Sequence, residues 1–185
     1  MLDMNARKGR IGCSQIADII GVGYGNALSV YNCIKGISEI EQNFRMLRGE
    51  IFEPAILELW QRTTGLLAYK PEGNIFNSQY DWLVGSPDAY IKGRDKGIEI
   101  KSSSTWVFKK SPKYDWRDAV PEKYQLQVQG YLMLTGFETW ELVADVNSDK
   151  LYTWTIERDE RMIINIDIIC SHFYHHHLLT NIAPE

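Results

Sequence analysis

Apolar positions change period along this chain, and the changes mark out its elements. In the first third they recur every three or four residues, the spacing of one helix face. Ser14 reads as the N-cap of a short helix over roughly 15–21, ended by Gly21 and Gly23. Ala27 to Lys35 reads as a second helix, stopped by Gly36. A longer one runs from about Gln42 to Thr64 on Phe44, Leu47, Ile51, Ala55 and Leu59, with Gly65 as its C-cap. Pro54 lies inside that stretch and predicts a break or kink directly after Glu53.

The middle of the chain turns to short strand-like runs at 67–70, 74–77, 82–85, 88–92 and 97–101, separated by Pro-Glu-Gly, Ser-Pro and Gly-Arg-Asp-Lys-Gly turns. Residues 104–120 follow no period and read as an exposed loop. Pro121 opens a helix through about Leu134, closed by Gly136. Strands over 139–146 and 151–156 pair across Asn147-Ser-Asp, and a last helix runs from about Asp159 to Leu179 on Ile163, Ile166, Cys170 and Phe173. This order suits an α/β fold in which a central mixed sheet carries helices on its faces. A single domain over residues 1–185 is expected.

Composition narrows the class. With 185 residues, 44% hydrophobic, and six Trp, ten Tyr and six Phe, the chain can fill a core and is not disordered. No apolar run approaches the ~18 residues of a membrane span, and MLDMNARKGR lacks the apolar segment of a secretory signal. Cys13, Cys33 and Cys170 are odd in number and far apart, which argues against a disulfide framework or a Cys-based metal site. A reducing cytoplasm is the expected setting. The net charge of -4 is unevenly spread: Lys101 to Lys123 carries +3, leaving -7 for the remainder. A second basic group, Arg7, Lys8 and Arg10, opens the chain.

The chemistry is concentrated in GSPDAYIKGRDKGIEIKSSS, residues 85–104. Asp88 follows a Ser-Pro turn into one strand, and Glu99 and Lys101 lie on the next. Alternation puts Glu99 and Lys101 on one face and Ile98 and Ile100 on the other. The tight connection over 93–97 makes the strands hairpin neighbours, so Asp88 and Glu99 converge. Two carboxylates and a lysine at one sheet edge are costly unless a cation joins them. The reaction that wants this set is phosphodiester hydrolysis with Mg²⁺ on hard oxygen ligands. The lysine orients water and offsets transition-state charge. The plainer alternative is a surface Glu99–Lys101 ion pair with Asp88 as a turn residue.

Ser-Pro-Asp followed eleven residues on by Glu-Ile-Lys is similar to the signature of the PD-(D/E)XK nucleases. Four further blocks, IGCSQIADIIG (11–21), RGEIFEPAILELWQRTTG (48–65), PEKYQLQVQGYLMLTG (121–136) and LYTWTIERDERM (151–162), stand in order around it. Together they resemble the lambda exonuclease and YqaJ-type viral recombinase branch of that family. The resemblance implies a restriction-endonuclease-like fold and Mg²⁺-dependent cutting of DNA, with Mn²⁺ able to substitute. It carries over Asp88 and Glu99 as metal ligands, the carbonyl of Ile100 as a third, and Lys101 as the catalytic lysine. Glu53 becomes an additional carboxylate, on a second metal or held through water. Gln127 and Tyr131 match a Q-x-x-x-Y element, and Arg7 and Ser14 match positions that hold a 5′ phosphate.

Each of these has a plainer reading: Glu53 as an exposed helix residue, Gln127 and Tyr131 as a solvated flank, and Ser14 as a simple N-cap beside a basic tail. Trp106, Phe108, Tyr114 and Trp116 alternate with Lys109, Lys110 and Lys113, as on surfaces that stack bases and grip a backbone, the plainer reading being that half of them pin the loop to the body. Consecutive His175, His176 and His177 point in different directions on a helix and read as a partly solvated end. The implied activity is a 5′-to-3′ exonuclease on double-stranded DNA ends, working beside a single-strand annealing protein. Relatives form rings, so a homo-oligomer, a trimer, is implied as well. A structure-selective or nicking endonuclease and a catalytically silent DNA-end-binding protein are the rival readings.

Overall fold

Trp140, Leu142, Val143, Ala144 and Val146 are all buried, so the strand that carries them is covered on both faces. It is β6 (Thr139–Val146), near the middle of a five-stranded mixed sheet ordered β2-β4-β5-β6-β7. The coordinates are a computed structural model and describe residues 9–38, 41–103, 116, 120–146 and 150–185. β5 (Lys96–Ser103) runs parallel to β6 and antiparallel to β4 (Ala89–Ile91). β2 (Ala68–Tyr69) and β7 (Lys150–Glu157) close the edges, both antiparallel to their neighbours. Apart from this sheet, β1 (Ile11–Gly12) lies parallel to β3 (Leu83–Val84).

The described helices are α1 (Ile16–Ile20), α2 (Ala27–Ile34), α3 (Phe44–Thr64), α4 (Glu122–Thr135) and α5 (Glu160–Phe173), the last running on into a π-turn over Tyr174–Leu178. Local chemistry sets their ends. Asn43 accepts the amides of Arg45 and Met46 at 3.0 and 3.1 Å, and Asp159 accepts those of Arg161 and Met162 at 2.9 and 3.1 Å. Gly65 and Gly136 end α3 and α4 at φ 71° and 72°, the left-handed turn that glycine adopts without strain.

Two cores sandwich the sheet. On one face α3 lays Ile56 and Trp60 against Ala89, Ile91, Ile98, Ile100 and Val143. On the other, α1, α4 and α5 pack Ile16, Leu132, Ile163 and Ile166 over Trp140, Leu142 and Ala144. Each such side chain contributes about 1.5–3 kcal/mol of transfer free energy. Glycine permits two close approaches. A Cβ on Gly97 would lie 2.1 Å from the Trp140 indole, and one on Gly130 would lie 2.7 Å from Ile16 Cδ1. α4 therefore sits hard against the first helix, and its Gln127 and Tyr131 are carried over the end of β5.

The structure departs from expectation in several places. Ser14 is no helix cap: it lies inside a 3₁₀ turn, Cys13–Gln15, and Gln15 precedes α1. The turn forms because Gln15 Oε1 takes the Gly12 amide at 2.8 Å while Cys13 is drawn into the core. α3 runs unbroken from Phe44 to Thr64 through Pro54, so the break expected there is absent. Its expected core stripe of Phe44, Leu47, Ile51 and Leu59 faces outward, with Phe44 79% exposed, and the helix is rotated to bury Ile56 and Trp60 instead. The run at 74–77 shrinks to one bridge between Ile75 and Gly85. Trp116 is 2% exposed, not a loop residue in solvent: it packs between Tyr124 at 4.9 Å and Trp154 at 5.3 Å. Among the described residues, no helix is long and apolar enough to cross a membrane.

Candidate active site

The hairpin register opposes Ala89 to Ile98 and so brings Asp88 across from Glu99. Asp88 Oδ2 accepts the Ile100 amide at 2.6 Å, which ties the turn to the strand. Glu99 is 2% exposed and turns toward α4, where Gln127 donates Nε2–H to its Oε1 at 2.8 Å. Lys101, two residues on and on the same face, donates to that same oxygen, and to Gln127 Oε1 at 3.2 Å. Gln127 Nε2 also reaches the Tyr131 hydroxyl at 2.9 Å, and that hydroxyl donates to the Ser86 carbonyl at 3.2 Å. Gln127 and Tyr131 are both buried, so they are not the solvated flank of a helix. The Tyr131 ring stacks on Trp140 at 5.0 Å, anchoring the network to the core.

Glu53 approaches from α3. Its Oε1 accepts from Lys70 Nζ at 2.7 Å, just past β2. Glu53, Asp88, Glu99, Ile100 and Lys101 line one open cleft of about 790 Å³ between α3 and α4, and Ser14 lines it as well. Burial, joined by the charges of Glu99 and Glu53, pushes the Asp88 carboxyl well above the usual carboxylate range. Burial works to lower Lys101, yet Glu99, Asp88 and Glu53 prevail and hold its ammonium above the ordinary lysine value. The hydrogen bond to Glu53 leads the causes that raise Lys70. Burial raises the Tyr131 hydroxyl well above the usual tyrosine value, so it stays a neutral donor.

Oxygen donors dominate the floor of the cleft, and Glu99 Oε2, fully buried, finds no hydrogen-bond partner among the described residues. An unsatisfied carboxylate oxygen beside a carboxyl that resists ionising is the electrostatic signature of a place for a cation. This donor set fits a hard divalent ion. Among the described residues, no three His, Cys, Asp or Glu side chains form a ready-made metal cluster. Lys101 on Glu99 and Lys70 on Glu53 meanwhile hold two of the carboxylates.

Arg7, Trp106, Lys109 and Lys110 lie outside the described residues, as do Phe108, Tyr114 and residues 147–149. Sequence reasoning passed over several residues in the cleft or in contact with its lining. Arg48 on α3 donates to the Ser102 hydroxyl at the end of β5. Lys123 Nζ lies 3.4 Å from the Tyr24 ring centre and 4.1 Å from that of Tyr124. Lys70 and Tyr24 meet the site only through tertiary packing, and no local pattern marked them, whereas Lys123 closes the basic segment from Lys101 and lies in the 121–136 block. Arg48 stood inside the R-G-x-x-x-E block, a signal that was available.

A model of the YqaJ-like viral recombinase domain matches residues 4–138. The YqaJ protein of Bacillus subtilis (strain 168) is 24% identical over 139 residues, covering 74% of this chain and 42% of that protein. This chain thus spans less than half the length of that relative. Among solved structures, the alkaline exonuclease LHK-Exo of Laribacter hongkongensis superposes with a TM-score of 0.78 at 24% identity, over 96% of this chain and 92% of that one. A phage-related exonuclease from Haemophilus somnus 129PT gives 0.70 at 19% identity, over 93% and 96%. The shared architecture is the restriction-endonuclease-like fold that the resemblance implied, and its central mixed sheet is what the order of strands and helices led us to expect.

Proposed function

The chain belongs to the YqaJ-like viral recombinase domain family, and from that premise we propose that its cleft hydrolyses phosphodiester bonds of DNA. The observation that carries the reading is the opposition of Asp88 and Glu99 across one hairpin, with Lys101 on the same face and Glu99 Oε2 unsatisfied. Asp88, Glu99, the carbonyl of Ile100 and Glu53 are the oxygens that would hold Mg²⁺, with Mn²⁺ able to take its place. A divalent ion bound there would polarise a phosphate oxygen and lower the pKa of a water it holds.

The chain's own residues do the rest. Lys101, pinned by Glu99 and Gln127, keeps a positive charge where the phosphorane charge develops. Gln127, held in one amide orientation by Tyr131 and Glu99, fixes the Lys101 ammonium and the Glu99 carboxylate together. Residues 1–185 act in this reading as one nuclease domain inside a bacterial or host cell. Cutting proceeds 5′ to 3′ from double-stranded ends, for recombination with a single-strand annealing partner, by a ring of three copies. Arg7 and Ser14 hold the terminal 5′ phosphate, and Trp106, Lys109 and Lys110 grip the backbone beyond.

The experiment is an incubation of the purified chain with end-labelled linear duplex and with closed circular duplex, in Mg²⁺ or EDTA. Release of nucleotides from the linear form alone, only with Mg²⁺, is expected. Nicking of the circle would favour an endonuclease, and binding without cleavage would favour a silent end-binding protein. Linear duplexes that differ only in a 5′ phosphate or hydroxyl, at fixed salt, test the phosphate pocket. A preference of about tenfold or more for the phosphate is expected from charge-assisted hydrogen bonds.

A further inference from the structure

The segment that joins α1 to α2 is GVGYGN, residues 21–26, and it is built around one side chain. Asp18 Oδ1 accepts the Gly25 amide at 2.8 Å. A Cβ on Gly23 would lie 1.9 Å from that same oxygen, and one on Gly25 would lie 2.6 Å from Ser29 Oγ. Only glycine lets the backbone wrap Asp18 this closely, and the wrap is locked at its end by the Asn26–Ser29 cap of α2. The single large residue inside this glycine wrap is Tyr24.

Tyr24 is 69% exposed, although an aromatic ring gains most by burial. It stands on the rim of the same cleft that holds Asp88 and Glu99. One side of its ring meets the ammonium of Lys123, a lysine only 8% exposed. An alternating series of cations and rings leads inward from there: Lys123 to Tyr124 at 4.1 Å, then Tyr124 to Lys101 Nζ at 5.1 Å. A solvent-facing ring backed by a buried cation, at the mouth of a phosphate-cutting cleft, is the arrangement that takes a flat π-system.

We propose that Tyr24 is a stacking platform for a nucleobase of the strand being cut, with Lys123 beneath it fixing the ring and lending positive charge to the adjacent phosphate. The proposal rests on the DNA-cutting reading of the cleft. Tyr24 is on this account a positioning residue: it sets how far the strand enters, and through that which phosphate lies over Asp88 and Glu99. Stacking needs a ring but no hydroxyl, so phenylalanine should serve and leucine should not.

The test uses the full chain in EDTA, where no cutting occurs, and short duplexes carrying 2-aminopurine as the terminal base on either the 5′ or the 3′ side. Stacking quenches the emission of this base. With wild type and with Tyr24→Phe, one of the two duplexes should be quenched on binding. With Tyr24→Leu the quench should vanish and affinity should fall about 5- to 150-fold, the range measured for one stacked base. With Mg²⁺, removing that base to leave an abasic end should slow wild type to the rate of Tyr24→Leu, which should itself be indifferent to the change. DNA binding with the same quench in Tyr24→Leu as in wild type overturns the platform and leaves the nuclease reading standing. No DNA binding by wild type, together with no cleavage in Mg²⁺, overturns both.

Discussion

Asp88 is the residue on which the neighbouring carboxylates bear most heavily. Burial and the charges of Glu99 and Glu53 raise its carboxyl above the range it has in the unfolded chain. The folded chain therefore binds that proton more tightly, and the stabilisation is complete in acid and lost as pH rises through the folded value. Asp88→Asn carries no charge at any pH. In EDTA it should melt at a higher temperature than wild type at neutral and alkaline pH, with the gap closing in acid. Melts that differ equally at all pH values would contradict this. The same variant should bind no Mg²⁺ and cut no DNA, so stability and activity move in opposite directions, as at sites where function strains the fold. Lys101→Ala should lower turnover on the order of 10²–10³-fold while calorimetry still detects metal binding. Glu53→Gln should spare DNA binding and depress turnover, with partial rescue by Mn²⁺, which tolerates imperfect coordination better than Mg²⁺. Full activity of Glu53→Gln at every Mg²⁺ concentration would make Glu53 structural.

At the scale of elements, one contact sets the geometry of the whole floor. β5 passes beneath Trp140 with glycine at the contact, and the same indole carries the Tyr131 ring on its other side. Gly97→Ala would drive a methyl into that indole, costing about 1–3 kcal/mol in a core with no room to relax. Chemical denaturation should show the loss, and turnover should fall with it because Tyr131 and Gln127 ride on the displaced ring. The hairpin of the candidate site was legible in the sequence because its register is local: a short turn and period-two alternation suffice to oppose Asp88 and Glu99. β6 was legible because Trp140, Leu142, Ala144 and Val146 alternate along it with the period of a strand. The face of α3 was not. That helix has apolar residues on two sides, and only the packed sheet decides that Ile56 and Trp60 go inward while Phe44 and Ile51 stay out. Lys70 was illegible for the same reason: what ties it to the site is Glu53, a neighbour distant in sequence.

For the whole molecule, the outward stripe of Phe44, Leu47, Ile51 and Leu59 bears on association. Apolar rows of this kind on a surface helix mark places where another surface settles. If three copies form a ring through it, light scattering should return three times the chain mass, and Phe44→Asp with Ile51→Asp should return one. A single-chain mass for wild type would remove the ring from the reading. The stack of Trp154, Trp116 and Tyr124 has a different consequence. Two indoles with centres 5.3 Å apart and planes 38° from parallel share their electronic excitation, which splits their absorption into paired circular-dichroism bands of opposite sign. Tyr124 touches this pair on one side and faces Lys101 on the other. Anything that enters the cleft and shifts Tyr124 should alter the couplet, so the unlabelled protein carries its own optical gauge of occupancy.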